Sequence, residues 1–453
     1  MSVHTVSVEF NGRNYSLETG RFAKFANSVM VRCGDTMVLV TAVASTKENT
    51  TIDYLPLQVE YREKAASAGK FPGGFLKREG RPSEKEILSA RLIDRPIRPM
   101  IPKSWRFETQ IVATVFSAEP DVNPDTLAMV GASAALMISD VPFQGPISEV
   151  SVGRVDGQFV VNPSPEQLEK SDINISVAGT DTSIMMVEGE SQEISEDYFL
   201  AALEFAHEQV KVLNKLQHDL VALSSTPKRA FTEVKPSDEL VAFVDGEIHE
   251  ELEKYVHTVT TKAERSETRQ KLFEVALEKA KEKFGETEEF VDNAAQLEKF
   301  VATVVDKLEQ KSMRKMILET GKRLDGRSTT QIRPITCEVG LLPRAHGSAL
   351  FTRGETQSLT TATLGTKHDE QMIDGLLPTY TMKFLLHYNF PPFSTGEVGR
   401  MTGVGRREIG HGNLAFRAIS AMMPGDEFPY TTRVVSDILE SNGSSSMATV
   451  CAG

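Results

Sequence analysis

Ser28-Val-Met-Val-Arg-Cys-Gly-Asp-Thr36 returns 320 residues later as Ser348-Ala-Leu-Phe-Thr-Arg-Gly-Glu-Thr356. Each stretch has apolar, β-rich flanks around a Gly-Asp or Gly-Glu turn, the pattern of a hairpin. Thr41-Ala42 and Thr361-Ala362 keep the same offset. Further on, Arg81, Leu88 and Arg91 match Arg407, Leu414 and Arg417 at an offset of 326. Leu127-Ala128-Met129-Val130 matches Met447-Ala448-Thr449-Val450, again at 320. Three matches in one order point to an internal duplication.

The first copy continues past the last match, with strand-rich stretches at Ile147–Val161 and Ile173–Val187 and a helix expected over Ser195–Lys215. The second copy has no such continuation, so on this comparison it is expected to lack close to its last two-fifths. Between the copies, no proline occurs from Ser237 to Arg333, and apolar residues recur at three- and four-residue spacing, as in Phe300-Val301, Val304-Val305 and Leu308. That is helical periodicity, and it predicts an insert of three or four helices. The expected divisions are 1–220, 235–318 and 321–453, and the fold class is mixed α/β (α+β).

The 453 residues suffice for about two to four domains. Apolar runs are too short for a membrane span, and the N-terminus lacks a signal-peptide pattern. Cys33, Cys337 and Cys451 are too scattered for a metal knuckle and read as small core residues in a reducing compartment. The net charge of −13 argues against wholesale coating of nucleic acid but leaves room for a local basic site. One exists: between Lys70 and Arg106, ten Lys and Arg face four Asp and Glu.

Inside that region, Gly69–Ser83 is a Gly- and Pro-rich loop in which Phe75 lies near Lys77, Arg78 and Arg81. Rings that stack on bases beside cations that hold phosphates suit a single strand; a solvated loop around one buried ring has the same composition. Ser83 and Glu86 form a capping-box pattern, and Pro96 is expected to stop the helix after Arg95. Arg91, Arg95 and Arg98 then share one helix face, either as a cationic track or as partners of Asp94 and Glu84.

In the second copy, Gly403–Gly412 brings Arg406, Arg407 and His411 to a loop-to-helix junction. Paired guanidinium groups grip phosphate in a fork, and an imidazole can donate to it; a lone His is also common in structural roles. Ser444, Ser445 and Ser446 follow Asn442-Gly443 at a helix start, where hydroxyls and backbone N–H groups suit an anion and where one Ser would serve as a cap. No nucleophile elbow, Walker loop or zinc spacing is present. Tyr388–Phe393 reads as an aromatic turn, for core packing or for holding a base.

Taken together, Phe75–Glu84, Ala90–Pro99, Phe351–Thr356, Arg406–Gly412 and Ser441–Ser446 resemble, in order, the signature segments of the polynucleotide phosphorylase (polyribonucleotide nucleotidyltransferase) family. The resemblance implies two ribonuclease-PH-like cores of ribosomal protein S5 domain 2-like βαβ topology, joined by an all-helical domain, the second core being incomplete here. It implies 3′→5′ phosphorolysis of single-stranded RNA, with inorganic phosphate as co-substrate and nucleoside diphosphates as products, and the reverse polymerisation. By position, Ser444, Ser445 and Ser446 would bind phosphate, and Arg406, Arg407 and His411 would act catalytically beside it. Phe75, Lys77, Arg78, Arg81, Arg91, Arg95 and Arg98 would handle RNA. The family loop carries two adjacent aromatics before two arginines, so Leu76 and Lys77 are departures that weaken stacking.

The resemblance also implies Mg2+ or Mn2+, held by an acidic cluster expected past Gly453. The corresponding place in the first copy keeps only Asp172, with Asn174 and Ser176 uncharged, so the first core is expected to be non-catalytic and this stretch alone nearly inactive. Further implications are a homotrimeric ring, RNA-degradation partners, downstream KH and OB-type modules, no membrane association and a cytoplasmic location. The competing expectation is a non-catalytic RNA-binding or ring-forming subunit.

Overall fold

The computed structural model describes residues 2–453 except 50, 53, 292, 377, 378, 402 and 426. They form two compact units, one made of the chain up to Phe231 together with Thr336–Gly453, the other of Thr232–Ile335.

The first unit opens with β1 (His4–Phe10) and β2 (Arg13–Thr19), paired antiparallel. Asn11 and Gly12 between them both have positive φ, as a two-residue hairpin turn of matching twist demands. The repeated hairpin follows as β3 (Asn27–Cys33) and β4 (Thr36–Glu48), with Cys33 opposite Thr36. Then come β5 (Leu57–Glu63), α1 (Glu84–Ile97) and β6 (Phe107–Ser117). β5 and β6 are parallel, so α1 is a crossover helix in a six-stranded sheet of order β1-β2-β3-β4-β6-β5.

α2 (Pro124–Ile138) is buried along nearly its whole length. It lies so close to the sheet that a Cβ on Gly131 would fall 2.5 and 2.7 Å from methyls of Val40 and Val31. β7 (Ser148–Val155), β8 (Gln158–Val161), the short α3 (Pro165–Leu168), β9 (Ile173–Gly179) and β10 (Ile184–Ser191) supply a second sheet of order β10-β9-β7-β8. α4 (Glu196–Leu223) covers α2 and β7, with Ala202, Ala206, Val210, Leu213 and Leu220 fully buried.

Among the described residues, the second unit contains three helices, α5 (Asp238–His257), α6 (Lys262–Phe284) and α7 (Ala294–Thr320). Their apolar stripes meet around Val244, Ile248, Ala276, Val301 and Val304. Arg269 bonds Glu309 at 3.0 Å and also pairs with Asp306, tying α6 to α7.

Among the described residues, the second copy repeats the first sheet without a counterpart of β1 and with an added hairpin: β11 (Ile335–Val339), β12 (Gly347–Arg353), β13 (Thr356–Gly365), a small hairpin of β14 (Gln371–Ile373) and β15 (Tyr380–Met382), β16 (Phe384–Asn389), the crossover α8 (Arg406–Ser420), β17 (Thr431–Glu440) and α9 (Ser445–Ala452). Its order is β11-β12-β13-β17-β16, with β16 parallel to β17. The hairpin turn is the same, Arg353 standing opposite Thr356 with Gly354 at φ 57°. Tyr61 stands opposite Ala113 in the first sheet, and Tyr388 opposite Ser436 in the second.

Cys33 is buried as the sequence reading expects, but Cys337 and Cys451 are exposed and belong to no core. Two boundaries also differ from that reading. α4 extends to Leu223, since its buried stripe continues through Leu216 and Leu220. Pro96 lies inside α1 and does not stop it: the helix runs to Ile97, and Arg98–Met100 then tightens into a 3₁₀ turn. Proline near a helix end removes one hydrogen bond without forbidding the next turn.

Candidate active site

The serine-rich hinge is set by the turn of the repeated hairpin. The Asn442 N–H donates to Thr356 Oγ1 at 3.1 Å, and the Thr356 hydroxyl reaches the Gly443 carbonyl at 3.3 Å. Arg353 donates from Nη2 to the carbonyls of Gly443 and Ser444, at 3.3 and 3.0 Å. So held, Ser444 adopts φ 52°, a left-handed conformation that a serine takes only at some energetic expense and that clusters at functional sites. It starts α9 without a side-chain cap, leaving its hydroxyl exposed.

The three serines separate. Ser445 is 2% exposed, and its hydroxyl is bonded to the Tyr388 phenol at 2.7 Å. Ser446 lines a cleft of about 490 Å³ together with His411, Arg91, Arg95, Arg417 and Glu188. Ser444 and Ser446 are thus the hydroxyls free to meet a ligand, while Ser445 fixes the hinge.

α8 places the other expected residues. Arg406 is occupied by β5: it donates to the Val59 carbonyl at 2.6 Å and pairs with Glu60 at 2.5 Å. Arg407 is exposed, with its guanidinium 4.1 Å above the Phe390 ring. His411 packs edge-on to Tyr388, and its Nδ1 is buried without a hydrogen-bond partner among the described residues. Burial, then the positive charges of Arg407 and Arg91, hold its pKa below the usual histidine range. The imidazole is therefore neutral at pH 7, with one N–H to offer.

The residues expected to handle RNA fall into three places. Phe75, Lys77, Arg78 and Arg81 lie on an exposed loop, with Phe75 99% and Leu76 83% accessible. The loop root is fastened: the Ala118 N–H donates to Ser67 O at 3.1 Å, and Lys70 Nζ donates to Gly375 O at 2.9 Å. Arg91 enters the cleft beside His411. Arg95 pairs with Glu188, and Arg98 bonds Asp94 at 2.6 Å and the carbonyls of Leu55 and Leu57. Glu188 also takes Arg417 at 3.2 Å, so one carboxylate of β10 binds arginines of α1 and α8 together.

The first copy is built on the same frame with other chemistry. The Glu119 N–H donates to Thr36 Oγ1 at 3.0 Å, as Asn442 does to Thr356. At the 320 offset, Pro124, Asp125 and Thr126 stand where the second copy has Ser444, Ser445 and Ser446. Proline removes an N–H and aspartate adds a negative charge, so this helix start does not suit an anion. Asp172 is engaged by Arg154, whose Nε donates to it at 2.9 Å. That bond holds the carboxyl below the usual aspartate range. Among the described residues, no group of three or more His, Cys, Asp or Glu is arranged to hold a metal ion.

Arg353 and Glu188 were not singled out in the sequence. The repeat carried a signal for Arg353, which replaces Cys33 of the first copy. Glu188 carried none, because its partners lie 93 and 229 residues away.

Family models agree with this architecture. The model of the 3′ exoribonuclease family, domain 1, matches residues 11–142 and again 331–453. Domain 2 of that family matches 145–209, and the polyribonucleotide nucleotidyltransferase RNA binding domain matches 239–328. The chain belongs to the 3′ exoribonuclease family.

Within it, the chain is similar to enzymes named polyribonucleotide nucleotidyltransferase. That of Chlorobaculum parvum is 53% identical over 451 residues, 98% of this chain and 62% of the relative. That of Chlorobaculum tepidum is 52% identical over 457 residues, with the same coverage. The chain thus spans about 62% of the length of the curated relatives it matches. A solved structure of rice (Oryza sativa) Rrp46 overlaps with a TM-score of 0.37 at 11% identity, over 48% of this chain and 94% of that one, too loosely to bear on function. Among the described residues, no helix is long and apolar enough to cross a membrane.

Proposed function

We propose that this chain carries the phosphate- and RNA-binding part of a 3′→5′ phosphorolytic exoribonuclease. A phosphate oxygen attacks the phosphorus of the terminal phosphodiester. The new P–O bond forms as the bond to the 3′ oxygen of the preceding nucleotide breaks. A nucleoside diphosphate leaves, and the shortened strand takes up a proton on its new 3′ hydroxyl. Run backwards, the same steps polymerise diphosphates.

Phosphate is already a nucleophile, so the protein's task is alignment and charge neutralisation. Ser444 and Ser446, the N–H groups opening α9, Arg407 and neutral His411 are the groups that would hold it. The exposed Phe75 loop would stack on the strand, and Lys77, Arg78 and Arg81 would hold its backbone. A divalent ion, Mg2+ or Mn2+, would stabilise charge on the leaving oxygen. The described residues hold no donor set that fits one, and none of the roles above depends on it. The reading extends to a homotrimeric, cytoplasmic assembly with RNA-degradation partners.

The observation that carries this reading is the cleft where Ser446 of the hinge meets His411 and unspent arginine charge, in a chain whose relatives bear the nucleotidyltransferase name. The test is a digest of oligo(A) by the intact protein with Mg2+, with and without inorganic phosphate. ADP appearing only with phosphate is the expected result. AMP release without phosphate, or no release under either condition, overturns the reading.

A further inference from the structure

We propose that Arg91, carried by the first copy, is a phosphate ligand in the second copy's site, admitted there by Gly410. The inference rests on the phosphate site described above and adds a residue to it from the other half of the duplication.

Gly410 is the fifth residue of α8 and has ordinary helical backbone, with no positive φ to require a glycine. Inside a helix, glycine is less favourable than alanine by about 1 kcal/mol. The reason for it lies on α1. A Cβ at Gly410 would sit 2.5 Å from Arg91 Nε, 2.6 Å from Cζ and 2.8 Å from Nη2. The missing methyl is the space through which this guanidinium lies across α8. The glycine is not a legacy of the repeat, since the fifth residue of α1 is Leu88.

Three arginines enter this cleft from α1 and α8, and they are not equivalent. Arg95 and Arg417 are both bound by Glu188. Arg91 makes no ion pair or hydrogen bond among the described residues, yet it lines the cleft beside His411 and Ser446. Its positive charge bears on His411 together with that of Arg407. Counted from the capping boxes of the two helices, Arg417 stands where Arg95 does, and both are spent on Glu188, while the second copy has Asn413 at the place of Arg91; the charge left unneutralised is that of Arg91. A half-buried cation beside a neutral imidazole and a free hydroxyl needs an anion, and a planar guanidinium offers phosphate two parallel donors. Arg91 is therefore assigned to the phosphate and not to the RNA track its sequence neighbours suggest.

The test compares Arg91→Gln, Gly410→Ala and Ser446→Ala in the intact protein. It reads the KM for inorganic phosphate, the KM for oligo(A) and the NMR titration of His411. Arg91→Gln is expected to raise the phosphate KM about tenfold, leave the oligo(A) KM unchanged and raise the pKa of His411. Gly410→Ala is expected to raise the phosphate KM as well, because the new methyl displaces the guanidinium, while the melting temperature stays level or rises. A misfolding artefact would lower it.

A raised oligo(A) KM with an unchanged phosphate KM in Arg91→Gln returns Arg91 to the RNA track and overturns the proposal. So does a Gly410→Ala protein with wild-type phosphate KM. If Ser446→Ala raises the phosphate KM and Arg91→Gln does not, this inference alone fails. If neither does, the phosphate site itself is wrong.

Discussion

The phenol of Tyr388 and the hydroxyl of Ser445 lie 2.7 Å apart, both buried, joining the second copy's parallel strand to the first turn of its last helix. The first copy has the same relationship in other chemistry. Tyr61 occupies the register of Tyr388, and Asp125 occupies the place of Ser445. Tyr61 donates to Glu63 at 3.0 Å, and burial with Asp125 and Glu63 nearby drives its own ionisation far upward. One frame thus carries two helix starts, one enclosed by carboxylates and one faced by arginines.

Replacing Tyr388 with Phe removes the hydroxyl that holds Ser445 from β16 and leaves the ring in place. A buried hydrogen bond of this kind contributes about 1 kcal/mol. Tyr388→Phe is expected to lower stability, read from urea unfolding, by that amount and to weaken phosphate binding, with RNA affinity unchanged. Calorimetry with phosphate and with oligo(A) separates the two. Equal losses for both ligands would show that the hinge is not the phosphate site.

Phe75 is almost wholly exposed, so folding gives no reason to keep an aromatic there. Phe75→Ala is expected to shift stability by less than about 0.5 kcal/mol. It should weaken binding of single-stranded oligo(A) by about 1–3 kcal/mol, the value of one base stack. Arg78→Gln should instead flatten the salt dependence of binding, by about 0.7 in the log–log slope if one backbone phosphate is no longer neutralised. Fluorescence anisotropy at several salt concentrations reads both. A Phe75→Ala protein that unfolds early would mean the ring is packed in solution.

The hairpins, the duplication and the helical insert, read as three or four helices, were legible because they rest on local signals: a glycine in a two-residue turn, an offset, a three-to-four spacing. Helix ends were less so, since α4 continues on tertiary burial and Pro96 is tolerated by a tightening turn. For the candidate site, the sequence offered residues and no arrangement. Nothing near Arg406 in sequence announces Glu60, 346 residues away, which occupies it. Nothing in the triplet says that Ser445 turns inward. Side chains that differ between the copies, such as Arg353 for Cys33 and Gly410 for Leu88, carried more information than the matches did.

Glu149 is 1% exposed in β7, and burial, with the charge of Asp125 adding to it, pushes its carboxyl up to about 8. The folded protein keeps this proton up to that pH, whereas the unfolded chain releases it near about pH 4.3. Between those values the folded state binds more protons, so its contribution to stability is complete in acid and is lost as pH rises to about 8. Glu149→Gln, which cannot ionise, is expected to flatten this decline. Urea midpoints at about pH 5, 7 and 9 measure it. An unchanged slope would show that Glu149 is charged and paired in solution.

His411 titrates the other way. Burial first, then Arg407 and Arg91, depress its pKa, while the unfolded chain takes up this proton near about 6.5. Its contribution to stability is present above that value and is lost as pH falls through the lower folded pKa. The groups bearing on it are Arg407 of its own helix, Arg91 of α1 and the Tyr388 ring of β16. A phosphate seated among them would cancel the two positive charges and leave the burial unrelieved. Inorganic phosphate is therefore expected to raise the His411 pKa part of the way back, and by linkage to bind with proton uptake in that pH window. NMR titration of the imidazole with and without phosphate checks it, with chloride at matched ionic strength as control. An imidazole whose midpoint ignores phosphate has no phosphate beside it, and the anion must then be sought elsewhere than at the Ser446–His411 cleft.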